Sequence, residues 1–70
     1  LGRADGSDAL DALTRALEHD PYAFVREAAA RALGRRASDP TARAALERAA
    51  REDADEVVRQ AARAALEGRR

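Results

Sequence analysis

Apolar residues recur along this chain at helical spacing in four blocks, and each block is bounded by its own punctuation. In the first, Leu10, Leu13, Ala16 and Leu17 stack within residues 9–19, with Ser7 or Asp8 ahead to cap the helix. The second spans residues 20–34. There Asp20 is expected to act as the cap, Pro21 to take the first helical position, and Val25, Ala28, Ala29, Ala32 and Leu33 to form one apolar stripe. Gly34 then supplies a residue that tolerates a left-handed conformation at the helix end. The junction His19-Asp20-Pro21 leaves almost no loop, so the first two helices must turn sharply and run antiparallel. A third helix, about residues 41–51, follows the cap signal Asp39-Pro40 and places Ala42, Ala45, Leu46 and Ala49 on its apolar side. The fourth follows Glu52-Asp53-Ala54-Asp55, where Asp53 and Glu56 have the spacing of a capping box, and ends near Glu67. Residues 1–7 hold two glycines without periodicity and read as a linker or frayed lead-in.

The second block returns as the fourth. Val25-Arg26 maps onto Val58-Arg59, Ala28-Ala29 onto Ala61-Ala62, and Ala32-Leu33 onto Ala65-Leu66, an offset of 33 residues. Between residues 8–37 and 41–70, 13 of 30 positions are identical. Helical periodicity alone could mimic some of these, but it would not reproduce the order of cap, corner and cap. The pattern therefore predicts an all-α fold, an α-solenoid of two helical hairpins with four antiparallel helices. The domain covers residues 8–70, with repeat one at 8–37 and repeat two at 38–70.

Composition changes the picture in three ways. Seventy residues with an alanine-dominated apolar fraction make a thin core, because each alanine buries little area and burial is worth about 25 cal/mol per Å². Tyr22 and Phe24 are the only aromatics, and Phe24 is expected to fill core near the first corner. Without cysteine there is no disulfide framework and no thiolate metal site. Charge balances to zero, with arginine as the only strongly basic residue type, so the basic face on which non-specific nucleic-acid binding relies is not expected. No apolar run reaches the length of a membrane span, and a cytoplasmic protein without membrane contact is the expectation. The start at Leu1 suggests part of a longer polypeptide, here read as its C-terminal end.

Candidate chemistry is sparse. His19 sits at the end of the first helix, where a cation is favoured, with no cysteine, second histidine or serine beside it in sequence. The acidic run Glu52-Asp53-Ala54-Asp55-Glu56 lacks calcium-loop spacing. No catalytic residue, metal site or cofactor is therefore expected. Arg31, Arg35 and Arg36, with Arg63, Arg69 and Arg70 about one repeat later, form the best case for an anionic partner along one edge. Against it stand the Glu27–Arg31 and Arg63–Glu67 spacings and the lack of interleaved aromatics for base stacking.

Asp20, Val25, Arg26, Ala28, Ala29, Leu33 and Gly34, and again Asp53, Val58, Arg59, Ala61, Ala62 and Leu66, give the chain its family likeness. On these residues it resembles the HEAT repeat family, particularly the short HEAT-like repeats first noted in phycobilisome lyases. Glu67 departs from the glycine found there in the family, and Gly68 is expected to take over the helix stop. The resemblance implies a scaffold that binds another protein, a neighbouring domain or a copy of itself, and no enzyme. It also implies that Asp20, Arg26, Asp53 and Arg59 form a structural ladder between repeats. Second helices line the concave surface of such stacks, so the exposed positions there, Ala23, Glu27, Ala30 and Arg31 and then Glu56, Gln60, Arg63 and Glu67, are the partner side. Tyr22, Glu27, Arg31, Gln60, Arg63 and Glu67 are the expected partner-binding residues. The second hairpin is more polar, with Arg43 and Ala50 where the first has Leu10 and Leu17, as suits a terminal repeat. Leu10 and Leu17 are accordingly expected to form a docking face. Since a few family members bind DNA or act beside an enzyme, the alternative is an accessory domain of an enzyme that holds nucleic acid or another anionic substrate through Arg31, Arg35, Arg36 and Arg63.

Overall fold

Two helical hairpins stack side by side in the computed structural model, which describes residues 7–68. The helices are α1 (Ser7–His19), α2 (Ala23–Gly34), α3 (Pro40–Glu52) and α4 (Glu56–Glu67). α1 packs on α2 and α3, α4 packs on α2 and α3, and α2 also touches α3, while α1 and α4 do not meet. The result is a slab of 36 × 30 × 15 Å, two helix layers thick. Leu17, Leu33, Leu46 and Val58 are its largest fully buried side chains, and alanines fill the space between them.

The two corners are built alike, and neither starts its second helix where the sequence suggests. The Asp20 N–H still donates to Ala16 O (3.0 Å), and its carbonyl takes the Arg26 side chain while the first amides of α2 bond Tyr22 O, so this residue closes α1 and does not open α2. Its Oδ1 accepts from the Tyr22 N–H (2.8 Å), a local turn that reverses the chain. α2 begins at Ala23 with Tyr22 as its cap residue, and Pro21 lies outside the helix. At the second corner the Asp53 N–H donates to Ala49 O (3.1 Å), and its Oδ1 accepts from Asp55 N–H (2.9 Å). Asp55 is the true cap, its Oδ1 accepting from Val57 N–H (2.8 Å), while Glu56 takes the Gln60 amide and forms no capping box with Asp53. α3 alone opens directly on an Asp-Pro pair: Asp39 caps it through Thr41 N–H (2.8 Å) and Pro40 is its first residue.

The buried face of α2 is rotated from the expected stripe. Ala29, Ala30 and Leu33 are buried and Val25 is half-buried, whereas Ala28 is exposed. α2 is flanked by α1 and α4 on adjoining sides, so the residue between those neighbours, Ala30, goes inside. Ala30 and the half-buried Ala23 are therefore not free partner positions. Phe24 does not fill the core; it is 71% exposed and lies against Tyr22, itself 62% exposed. Leu10 (9% exposed) and Leu17 (1%) are covered by the helices packed on α1, so the docking face expected on them does not exist.

Gly34 matters for proximity, not for handedness. α2 ends through Arg35 in a right-handed conformation, and the turn runs on through Arg36 N–H to Leu33 O (2.8 Å). A Cβ on Gly34 would lie 2.9 Å from the Ala65 Cβ and 3.3 Å from its Cα, so a hydrogen at this position is what lets α2 and α4 approach.

Gly34→Ala should therefore lower the thermal midpoint by several degrees, equivalent to about 1–3 kcal/mol of overpacking. Adding Ala65→Gly should return part of the loss, which thermal melts followed by circular dichroism will show as a positive coupling. A melting point raised by Gly34→Ala, as helix propensity alone would give, contradicts the close approach.

Candidate functional site

The inter-repeat corner holds a cluster of part-buried polar bonds. Arg26, in the first turn of α2, donates from Nη1 to Asp20 O (2.8 Å) within its own hairpin. Its Nε and Nη2 reach across to Asp53 Oδ2 (3.0 Å) and Oδ1 (3.1 Å), a two-pronged charge-assisted bond between hairpins. Arg59 repeats the first bond one repeat on, from Nη1 to Asp53 O (2.7 Å). The Arg26 and Asp53 side chains are only 15% and 7% exposed, so water screens this pair little. Burial works against the charged form of Asp53, but the bonds from Arg26 and the Asp55 N–H outweigh it and hold its pKa below the ordinary carboxylate value. The Asp53 bond likewise raises the Arg26 pKa, against a smaller opposing effect of burial. Of the four expected ladder residues, Arg26 and Asp53 bridge the two hairpins, while Asp20 and the Arg59 guanidinium enter through the bonds from Arg26 to Asp20 O and from Arg59 to Asp53 O.

An open groove of about 510 Å³ lies between α2 and α4. Glu27, Arg31 and Arg35 stand on its α2 side, Val57 and Gln60 on its α4 side, and Gly34 with Ala61, Ala64 and Ala65 lines it between them. The polar side chains bond along their own helices: Arg31 Nη2 to Glu27 Oε2 (2.8 Å) and Gln60 Nε2 to Glu56 Oε2 (3.1 Å). An entering chain meets an alanine surface between walls that offer both donors and acceptors. Glu27, Arg31 and Gln60, among the expected partner residues, share this groove. Tyr22, Arg63 and Glu67 are exposed elsewhere. Val57, half-exposed at the groove, was not singled out from sequence, though its place opposite Phe24 in the repeat marks a position that hairpin ends leave open.

The arginine edge recurs at one position, Arg36 with Arg69, and Arg69 and Arg70 lie outside the described residues; the other positions differ. One repeat on, Arg31 corresponds to Ala64, and Arg63 corresponds to the buried Ala30. Arg31 is paired with Glu27, and Arg36 has partners of its own. His19 is exposed, 3.8 Å from Glu18, beside a second groove of about 280 Å³ that Arg48, Glu52 and Asp53 also line. Among the described residues, no three His, Cys, Asp or Glu side chains gather to hold a metal ion. No helix there is long and apolar enough to cross a membrane.

A family model described as HEAT repeats matches residues 1–67, without singling out the phycobilisome lyase type. No curated protein and no solved structure matches the chain.

Because the folded-state pKa of Asp53 is depressed, the corner's contribution is complete above the unfolded carboxylate value, about pH 4, and is lost as pH falls through the lower folded value. Asp53→Asn should cost about 2 kcal/mol at pH 7, or roughly 8 °C or more in melting temperature for a domain of this size. Melts at pH 7, 5, 4 and 3 should show the gap between wild type and variant narrowing below pH 4. Equal melting temperatures at pH 7 would show that the corner does not hold the hairpins together.

Proposed function

Since the chain belongs to the HEAT repeat family, we propose that it is a non-catalytic interaction module whose protein partner lies along the α2–α4 groove. HEAT repeats generally mediate protein–protein interaction, and the proteins that carry them are generally non-catalytic scaffolds. The observation that carries the reading is the groove itself: small apolar residues at its base and mixed charge on its walls, whose side chains bond along their own helices. A helix or extended segment with an apolar strip and polar flanks suits such a surface. The alternation of Glu27, Arg31, Arg35 and Gln60 suits a protein better than a polyanion, which needs uncompensated positive charge.

A photo-crosslinking residue at position 60, on the groove, is compared with one at position 48, exposed on α3 away from it. Crosslinks to a discrete protein should form from position 60 alone, and the charge reversal Glu27→Arg with Arg31→Glu should weaken them about tenfold or more while helicity is unchanged. Equal crosslinking from both positions contradicts the groove. Tight, salt-sensitive capture of DNA or RNA at low ionic strength would instead favour the accessory-domain reading through Arg31, Arg35, Arg36 and Arg63.

A further inference from the structure

The large apolar side chains that the described surface leaves exposed gather at one edge. Tyr22 is the cap residue of α2, Phe24 lies in its first turn, and Val57 lies in the first turn of α4. Phe24 and Val57 are one repeat apart, so they hold equivalent positions on helices that pack side by side. Glu27 links them, since it borders both the groove that Val57 lines and a shallow depression of about 270 Å³ that Phe24 lines. The Tyr22 and Phe24 rings stand 5.8 Å apart, tilted by 40°. Both stay mostly in water, so the contact between them covers little of the apolar surface they carry.

Charge at this edge is negative and points outward. Arg26 lies among Asp20, Asp53 and Asp55, but its guanidinium is turned into the corner, onto Asp53 and the Asp20 carbonyl. Arg59 is turned inward likewise, onto the Asp53 carbonyl, and Arg31 lies back along α2 on Glu27. The Asp20 and Asp55 carboxylates accept the Tyr22 and Val57 amides, and that of Glu56 accepts the Gln60 side chain. Those donors are neutral and leave the carboxylate charge in place. Arg35 is at the far end of α2, about 16 Å from Phe24 along the helix axis.

We infer that this rim binds an arginine-bearing segment of the protein partner. The guanidinium lies on the Tyr22–Phe24 pair, Asp20, Asp55 and Glu56 supply its counter-charge, and an adjoining aliphatic side chain covers Val57. An aromatic face attracts a cation through its ring quadrupole, and a guanidinium stacks flat on a ring and gives up water more readily than an ammonium. The same carboxylates repel an acidic segment or a nucleic acid. The assignment rests on the groove being the partner's track, because Glu27 and Val57 belong to both surfaces, and it gives that partner a chemistry at the corner end.

The rim carries its own reporter. Tyr22 is the one tyrosine and the chain has no tryptophan, so tyrosine emission reads this site without background. The probes are peptides of three Ser-Arg-Leu-Ser repeats and their versions with lysine or glutamate in place of arginine. The arginine peptide should change the emission saturably and bind about threefold or more tighter than the lysine version, and the glutamate version should not bind. Phe24→Leu, which keeps an apolar side chain without a ring, should weaken the arginine peptide about threefold or more, and Glu56→Gln about twofold or more. Both side chains are exposed, so helix content should hold in the two variants. The inference falls if the glutamate peptide binds equally well or if Phe24→Leu binds like the wild type. It falls, with the groove left standing, if the arginine peptide leaves Tyr22 emission unchanged while position 60 still crosslinks to a discrete protein. Light scattering that finds a dimer dispersed by Phe24→Leu would also overturn it, since the rim would then belong to a second copy.

Discussion

One aspartate, Asp53, governs how the two hairpins are joined. At Asp53 the N–H finishes α3, the carboxylate turns the chain toward α4, and the same carboxylate receives the Arg26 fork from the neighbouring hairpin. Local turn and long-range register are thereby fixed by a single side chain. Exposed ion pairs contribute little, about 0–1 kcal/mol, because solvent and side-chain entropy offset them. This one differs through low exposure, two parallel bonds, and an Arg26 guanidinium already held by Asp20 O.

Alanine makes that junction necessary. A seam of methyl groups brings helices close but buries little area per residue, so shape and spacing have to replace bulk. Gly34 against Ala65 is the limiting case, where one carbon decides whether α2 and α4 can meet. The corner ion pair sets the angle at which the hairpins join, and the alanine seam sets their separation. The groove between α2 and α4 is what remains on the outer side of that seam.

Helix number, the two hairpins and the 33-residue offset were legible, because Leu and Val at helical spacing leave few alternatives. The start of α3 was equally plain. The corners were not, because Asp20-Pro21 and Asp39-Pro40 are the same dipeptide, and they part at the carbonyl: Asp39 O accepts the Arg43 amide and opens α3, while Asp20 O takes the Arg26 side chain. Nor could the run Ala28-Ala29-Ala30 announce which methyl faces inward; that depends on where α1 and α4 lie. Leu10 and Leu17 misled for a related reason. Arg43, in place of Leu10, is exposed on hairpin two, whereas Ala50 is buried like the Leu17 it replaces, and both leucines occupy the inner side of hairpin one. In the groove, Glu27 and Arg31 could be anticipated as exposed positions on the second helix, but Val57 needed the neighbouring helix to be seen as part of the same surface.

The contact of α2 with both α3 and α4 has a kinetic side. Leu33, Leu46 and Val58 come from three successive helices and share one interior, so neither hairpin retains a core of its own once the other melts. Every helix seam joins segments adjacent in the chain or one repeat apart, which keeps loop closure short. Low sequence separation of this kind favours fast folding.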